Sequence, residues 1–176
     1  MPVDPREIAR ERIEAAVAQK KDRNTKADAA IWAAVALNTG LGAVPFGVNI
    51  WTFLGVTSVL VVALGAIYGH SVSHEGAGKI IKQIFMSVGA TTLALTIGMK
   101  FFVEVMKGAG VITMGGATAA GMALDAVLCG AVTYAIGFTS KKYFQQDQQM
   151  SPQQMKAEFN RSFDEGKSKV REARGN

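Results

Sequence analysis

His70, His74 and Glu75 fall within six residues of one another. On one continuous helix the four-residue interval would put both imidazoles on the same face, at the spacing of a metal site. A hydrolytic or redox metal centre needs a third strong ligand, and none follows nearby in the sequence. Gly69, Gly76 and Gly78 also favour a connection or a frayed helix end here. Solvated histidines are therefore the preferred reading, and neither a metal nor a cofactor is expected. Asp125 is the second conspicuous group, a carboxylate inside a long apolar segment. In the middle of a membrane helix it would cost about 2.5 to 3.5 kcal/mol. Lys100 and Glu104, one helical turn apart, can pair with each other. Together Lys100, Glu104 and Asp125 form an intramembrane polar set. Cys129 is the only cysteine, which excludes an intramolecular disulfide and leaves a small packing residue. No Gly-x-Ser-x-Gly elbow, cofactor fingerprint or GxxxxGK[ST] phosphate loop occurs, so the chain is read as noncatalytic.

The elements that must position these groups follow from an uneven charge pattern. The 176 residues carry a net charge of +5 and a pI near 9.4. Between Ala29 and Thr139 the only formal charges are Glu75, Lys79, Lys82, Lys100, Glu104, Lys107 and Asp125. From Ala29 to Gly69 there is no Asp, Glu, Lys, Arg or His at all. A helix apolar on every side asks for lipid, or for burial on all faces. About 20 such residues span a bilayer core. The fold expected is all-α: membrane-embedded helical hairpins built from four apolar helices, flanked by N- and C-terminal cytoplasmic amphipathic helices. Pro45, Phe46 and Gly47 supply the first hairpin turn. The basic residues alternate with acids and no nucleic-acid motif appears, so nucleic acid is not an expected partner.

Three regions result. Residues 1–28 read as a charged helix starting at Asp4 and Pro5, with a thin stripe of Ile8, Ile13 and Val17. Residues 29–144 are the apolar membrane domain, crossing four times or dipping in as two re-entrant hairpins. In its last segment Gly115, Gly116, Ala117, Gly121, Gly130, Thr133 and Gly137 are small enough for close helix crossings, within one chain or between copies. Residues 145–176 are a polar linker and a C-terminal amphipathic helix announced by Ser151, Pro152 and Gln154, whose Met155, Phe159 and Phe163 stripe can dock on a partner, a membrane surface or the N-terminal helix. Lys20, Lys21, Arg23 and Lys26 before the apolar domain, and Lys141 and Lys142 after it, are assigned to lipid headgroups and hold both termini in the cytoplasm.

The order Val44-Pro45-Phe46, Ile67-Tyr68-Gly69, Lys107-Gly108-Ala109-Gly110 and Gly130-Ala131-Val132-Thr133-Tyr134-Ala135-Ile136-Gly137, then Tyr143-Phe144, resembles the domain of unknown function 697, the YcjF-like group. The resemblance covers about residues 29–144. It implies membrane association, and a GTPase domain in the same chain or in a separate partner. Gly47 and Asn49 stand where relatives often carry a second Pro and an acid, and Ser58 to Ile67 lacks their polar residues. The resulting expectation is a noncatalytic integral membrane scaffold or adaptor, in the bacterial inner membrane, that binds lipid, self-associates as a homo-oligomer, and recruits a GTPase or shapes the membrane. The alternative is a small channel or transporter lined by Asp125, Lys100 and Glu104, and a more distant one is a soluble helical bundle.

Overall fold

The computed structural model describes residues 4–40, 50–89 and 126–175, which form six helices and no strand. Helix α1, Pro5–Ala18, starts where the Asp4 carboxylate accepts from Arg6 N and Pro5 occupies the first turn. The charged N-terminal helix expected to run to residue 28 is in fact two helices. Asp22 takes an extended conformation and its carboxylate accepts from Thr25 N and from the Thr25 hydroxyl, so it caps a new helix instead of continuing the old one. That helix, α2, spans Arg23–Thr39 and ends at Gly40, whose φ of 68° makes the left-handed C-terminal cap. Helix α3 is Ile50–Tyr68 and α4 is His74–Val88, capped by Ser73 accepting from Gly76 N. Helix α5 is Ala126–Gln145. Helix α6, Pro152–Arg174, opens with the reciprocal Ser151 and Gln154 capping box anticipated from the sequence.

Helices α2, α3 and α5 form the centre. Asn38 Nδ2 of α2 donates to Thr133 Oγ1 of α5 at 2.9 Å and to Thr57 Oγ1 of α3 at 3.4 Å, all three side chains being buried. The two threonine hydroxyls donate in turn to the carbonyls of Phe53 and Cys129 one turn back. Helix α1 closes over α2 and α3 through Ala9 and Ile13, α6 runs along α5, and α4 bridges α3 to α6. This chain's own helices cover most of the uncharged α3: α1, α2, α4 and α5 all touch it, and Phe53, Val56, Leu60, Val61 and Leu64 are buried, while Leu54, Val62, Ala63 and Ile67 are half-buried and Ala66 is exposed. Among the described residues no helix is long and apolar enough to cross a membrane. The turn residues Pro45, Phe46 and Gly47 lie outside the described residues, as do Lys100, Glu104, Asp125, Gly115, Gly116, Ala117 and Gly121.

Packing corrects one further expectation and narrows another. The Met155, Phe159 and Phe163 stripe is fully buried and so is not displayed to a partner. Its cover is α4 and α5, not the N-terminal helix: Ser87 Oγ lies 3.7 Å from Met155 Sδ, and the Phe85 ring meets Phe159 edge-on with centroids 6.2 Å apart. Gly130, Thr133 and Gly137 do serve close helix crossing, but within the chain. A Cβ on Gly130 would stand 2.3 Å from Thr39 Cγ2, and one on Gly137 would stand 2.8 Å from Ile31 Cγ1. Small residues here let α2 settle on α5.

Replacing Gly137 by Leu should therefore destabilise the protein by about 3 kcal/mol, because the added side chain has no space against Ile31. Gly78 of α4 is exposed with nothing within 4 Å of a new Cβ. Gly78→Ala should stabilise by about 0.5 to 1 kcal/mol through backbone entropy alone. Chemical denaturation of both variants checks the pair; no loss for Gly137→Leu would contradict the α2–α5 packing.

Candidate functional site

Polar side chains collect where α2 and α6 begin and α3 and α5 end. The last turns of α5 carry Lys141 and Lys142, a position that a helix dipole favours for cations. Consecutive residues on a helix point about 100° apart, so the two lysines meet different neighbours. Lys141 Nζ lies 2.6 Å from Asp28 Oδ1 on α2, and Lys142 Nζ lies 2.9 Å from Glu158 Oε2 on α6. Glu158 also accepts from Arg161 and, at 3.3 Å, from Ser162 Oγ. Beside them Asn24 Oδ1 accepts from Tyr68 OH and from Gln145 Nε2, each at 2.9 Å, which ties α2, α3 and α5 together. A shallow depression of about 360 Å³ opens between Asn24, Lys141, Lys142 and Arg161.

The electrostatics of this cap hold charge in place. Glu158 is only 5% exposed, and burial alone would raise its pKa. Hydrogen bonds from Lys142 and Arg161 outweigh that and keep the carboxyl below its ordinary value of 4.5. Burial pushes the Tyr68 phenol up. Along α6, Tyr134 OH donates to Glu165 at 3.0 Å and accepts from Lys169 at 3.1 Å. Burial raises the Tyr134 pKa, and the hydrogen bond to Lys169 lowers that of Glu165. These shifts keep the two carboxyls charged and the two phenols neutral. Such an arrangement clamps helices together; it does not poise a proton for transfer at pH 7.

The residues expected from sequence are distributed as follows. Lys20 and Lys21 are exposed in the connection between α1 and α2, Arg23 is exposed on the first turn of α2, and Lys26 is partly buried. Assigning Lys141 and Lys142 to lipid headgroups is corrected, because Asp28 and Glu158 engage them within the bundle and Lys141 keeps only 13% of its side-chain surface. The histidine pair is split. His70 precedes α4 in the connection, with Nε2 3.3 Å from the Phe144 carbonyl and Nδ1 3.1 Å from Gln148 Nε2. His74 is the first residue of α4, with Nδ1 3.3 Å from Ser58 Oγ on α3. Among the described residues no group of three His, Cys, Asp or Glu side chains could hold a metal ion. Cys129 is buried. Sequence reasoning missed Asn38, Asp28 and Glu158. An Asn amid the apolar residues of α2 was the available signal for the first; the other two gave none, since their partners come from other helices.

Glu158→Gln should cost about 1.5 kcal/mol at pH 7, the low end for a charge-assisted bond because both cations are partly exposed. A depressed carboxyl pKa contributes stability above the unfolded value and loses it as pH falls through the folded one. Denaturation across pH should show a constant gap between variant and wild type above pH 4.5 that closes on further acidification.

No curated protein and no solved structure matches the chain. A family model does match, that of a domain of unknown function, DUF697, over residues 8–168. The match runs from the second turn of α1 to the last turns of α6 and so takes in all six helices. A chain matched over that span belongs to the DUF697 family.

Proposed function

We propose that the protein is a noncatalytic, membrane-associated scaffold whose helical bundle presents one end to the bilayer and the other to the cytoplasm. The observation that carries this reading is the segregation of charge along the central helices. On α2 nothing from Ala29 to Thr39 is charged, α3 is uncharged throughout, and α5 is uncharged from Ala126 to Ser140. Their opposite ends carry the ion pairs of Asp28, Lys141 and Lys142. The uncharged ends of α2 and α5 adjoin sequence 41–49 and 90–125, where the only formal charges are Lys100, Glu104, Lys107 and Asp125. Apolar sequence of that length is suited to lipid. The basic connection at Lys20 and Lys21 favours a cytoplasmic position for the charged end.

In this scheme the charged end is the surface from which a partner is recruited, and the family resemblance supplies a GTPase as the class of partner. Self-association through the small residues of 111–124 completes the scaffold. The inner membrane is its location, with both termini on the cytoplasmic side.

Expressed in bacteria, the protein should stay with the membrane fraction after carbonate extraction. With Cys129 replaced by Ala, a cysteine placed at the exposed Gln148 should resist a membrane-impermeant thiol reagent in intact cells and react after permeabilisation. Release by carbonate would refute membrane seating, and labelling in intact cells would refute the orientation.

A further inference from the structure

The junction of α1, α3 and α4 holds a cleft of about 350 Å³ that none of the preceding assignments uses. Its charged walls are Arg6 of α1 and Glu75, Lys79 and Lys82 of α4, with Ser58 and His74 between them. Lys79 Nζ is held by Glu75 Oε1 at 2.7 Å. Arg6 and Lys82, both exposed, have no ion pair among the described residues. Among the described residues the cleft therefore carries two cations outside any ion pair, beside a hydroxyl and an imidazole that stand 3.3 Å apart. Gly55 and Gly78 also line it, and nothing lies within 4 Å of where a Cβ on Gly78 would be.

Arg6 and His74 also line a second space, a groove of about 560 Å³ between α1 and α3. Its floor is apolar: Ile13 and Val17 from one helix, Val59, Val62, Ala63 and Ile67 from the other. Asp4, Glu7 and Glu14 lie among its lining residues on the exposed side of α1, where Glu14 is paired with Arg10 and Asp4 caps the helix. Both volumes lie in the range of about 300 to 1,000 Å³ usual for small-molecule sites. A basic cleft and an apolar groove that share Arg6 and His74 in their linings fit a ligand with an anionic head and a hydrocarbon tail.

We propose that this composite site binds a single-chain lipid phosphate, with the phosphate between Arg6, Lys82, Ser58 and His74 and the acyl chain along Val59, Val62 and Ile67. Arg6 supplies a planar fork of donors and Lys82 a compact charge, a combination suited to a phosphate monoester. The assignment goes beyond the scaffold reading and does not depend on how the bundle meets a membrane.

The test uses the purified full chain and a lysophosphatidic acid carrying a photoreactive group in its acyl chain. Adducts should be saturable, should map to residues 13–17 and 59–67, and should be competed by unlabelled lysophosphatidic acid. The double variant Arg6→Glu, Lys82→Glu should weaken labelling about tenfold while leaving thermal unfolding unchanged, since both side chains are exposed. A photoreactive lysophosphatidylcholine should label about tenfold less, because its choline head faces the same cations. Gly78→Leu, which fills the cleft without changing charge, should also reduce labelling. Equal labelling by the two lipids, adducts elsewhere, or indifference to the charge reversal would overturn the proposal. Competition by inorganic phosphate as effective as that by the lipid would mean a phosphate site without a chain component, and would overturn it too.

Discussion

The seam between α2 and α5 is the contact on which the other packing depends. Its two helices run antiparallel in one register: Thr39 meets Gly130, Asn38 meets Thr133, Ile31 meets Gly137, Asp28 meets Lys141 and Asn24 meets Gln145. The steps use four kinds of interaction. Two glycines remove the Cβ atoms that would hold the backbones apart, one buried amide bonds a hydroxyl, and one ion pair and one amide pair close the charged end. Because α2 and α5 come this near, α3 can touch both, and the Asn38 amide reaches Thr57 as well as Thr133. Helices α1 and α6 then close on faces that the central three leave apolar.

The energetics of the seam are mixed. The glycines cost helix propensity, near 1 kcal/mol each relative to Ala, and that loss is offset by dispersion along the tight contact. Asn38 Oδ1 is buried and has no hydrogen-bond partner among the described residues. An amide in that position contributes registration more than stability, since an apolar side chain of similar size would bury no unpaired acceptor. The ion pairs lie at the solvated end, where the partly exposed Lys142 and Arg161 limit what they add. Stability therefore rests on burial, and the polar groups select one alignment among the several that smooth, small-residue helices permit.

Much of this architecture was legible in the residues. The helix starts at Asp4 and Ser151, the connection around Gly69, and the crossing roles of Gly130 and Gly137 all follow from local chemistry that a sequence displays. The uncharged run through α3 demanded cover, but sequence does not say whether lipid or protein provides it; among the described residues four helices of the same chain provide most of it. The Met155, Phe159 and Phe163 stripe shows the same ambiguity, since an apolar face looks alike whether it meets a partner or α4. The break at Asp22 was missed because capping by Asp22, whose carboxylate accepts from Thr25 N, competes with helix continuation through a local bond that periodicity does not register. Pairings such as Asp28 with Lys141 were illegible for a simpler reason: their separation along the chain is set only by the fold.

The most direct test of the account is a double-mutant cycle across the seam. Ile31→Ala removes the side chain that Gly137 accommodates, and Gly137→Ala adds a methyl where Ile31 stands. Each change alone should destabilise the bundle, while the pair should be more stable than the sum of the two by about 1 kcal/mol or more, because the new methyl enters the vacated space. Additivity within about 0.5 kcal/mol would show that the two positions do not touch, and the α2–α5 contact would have to be abandoned as the centre of the fold.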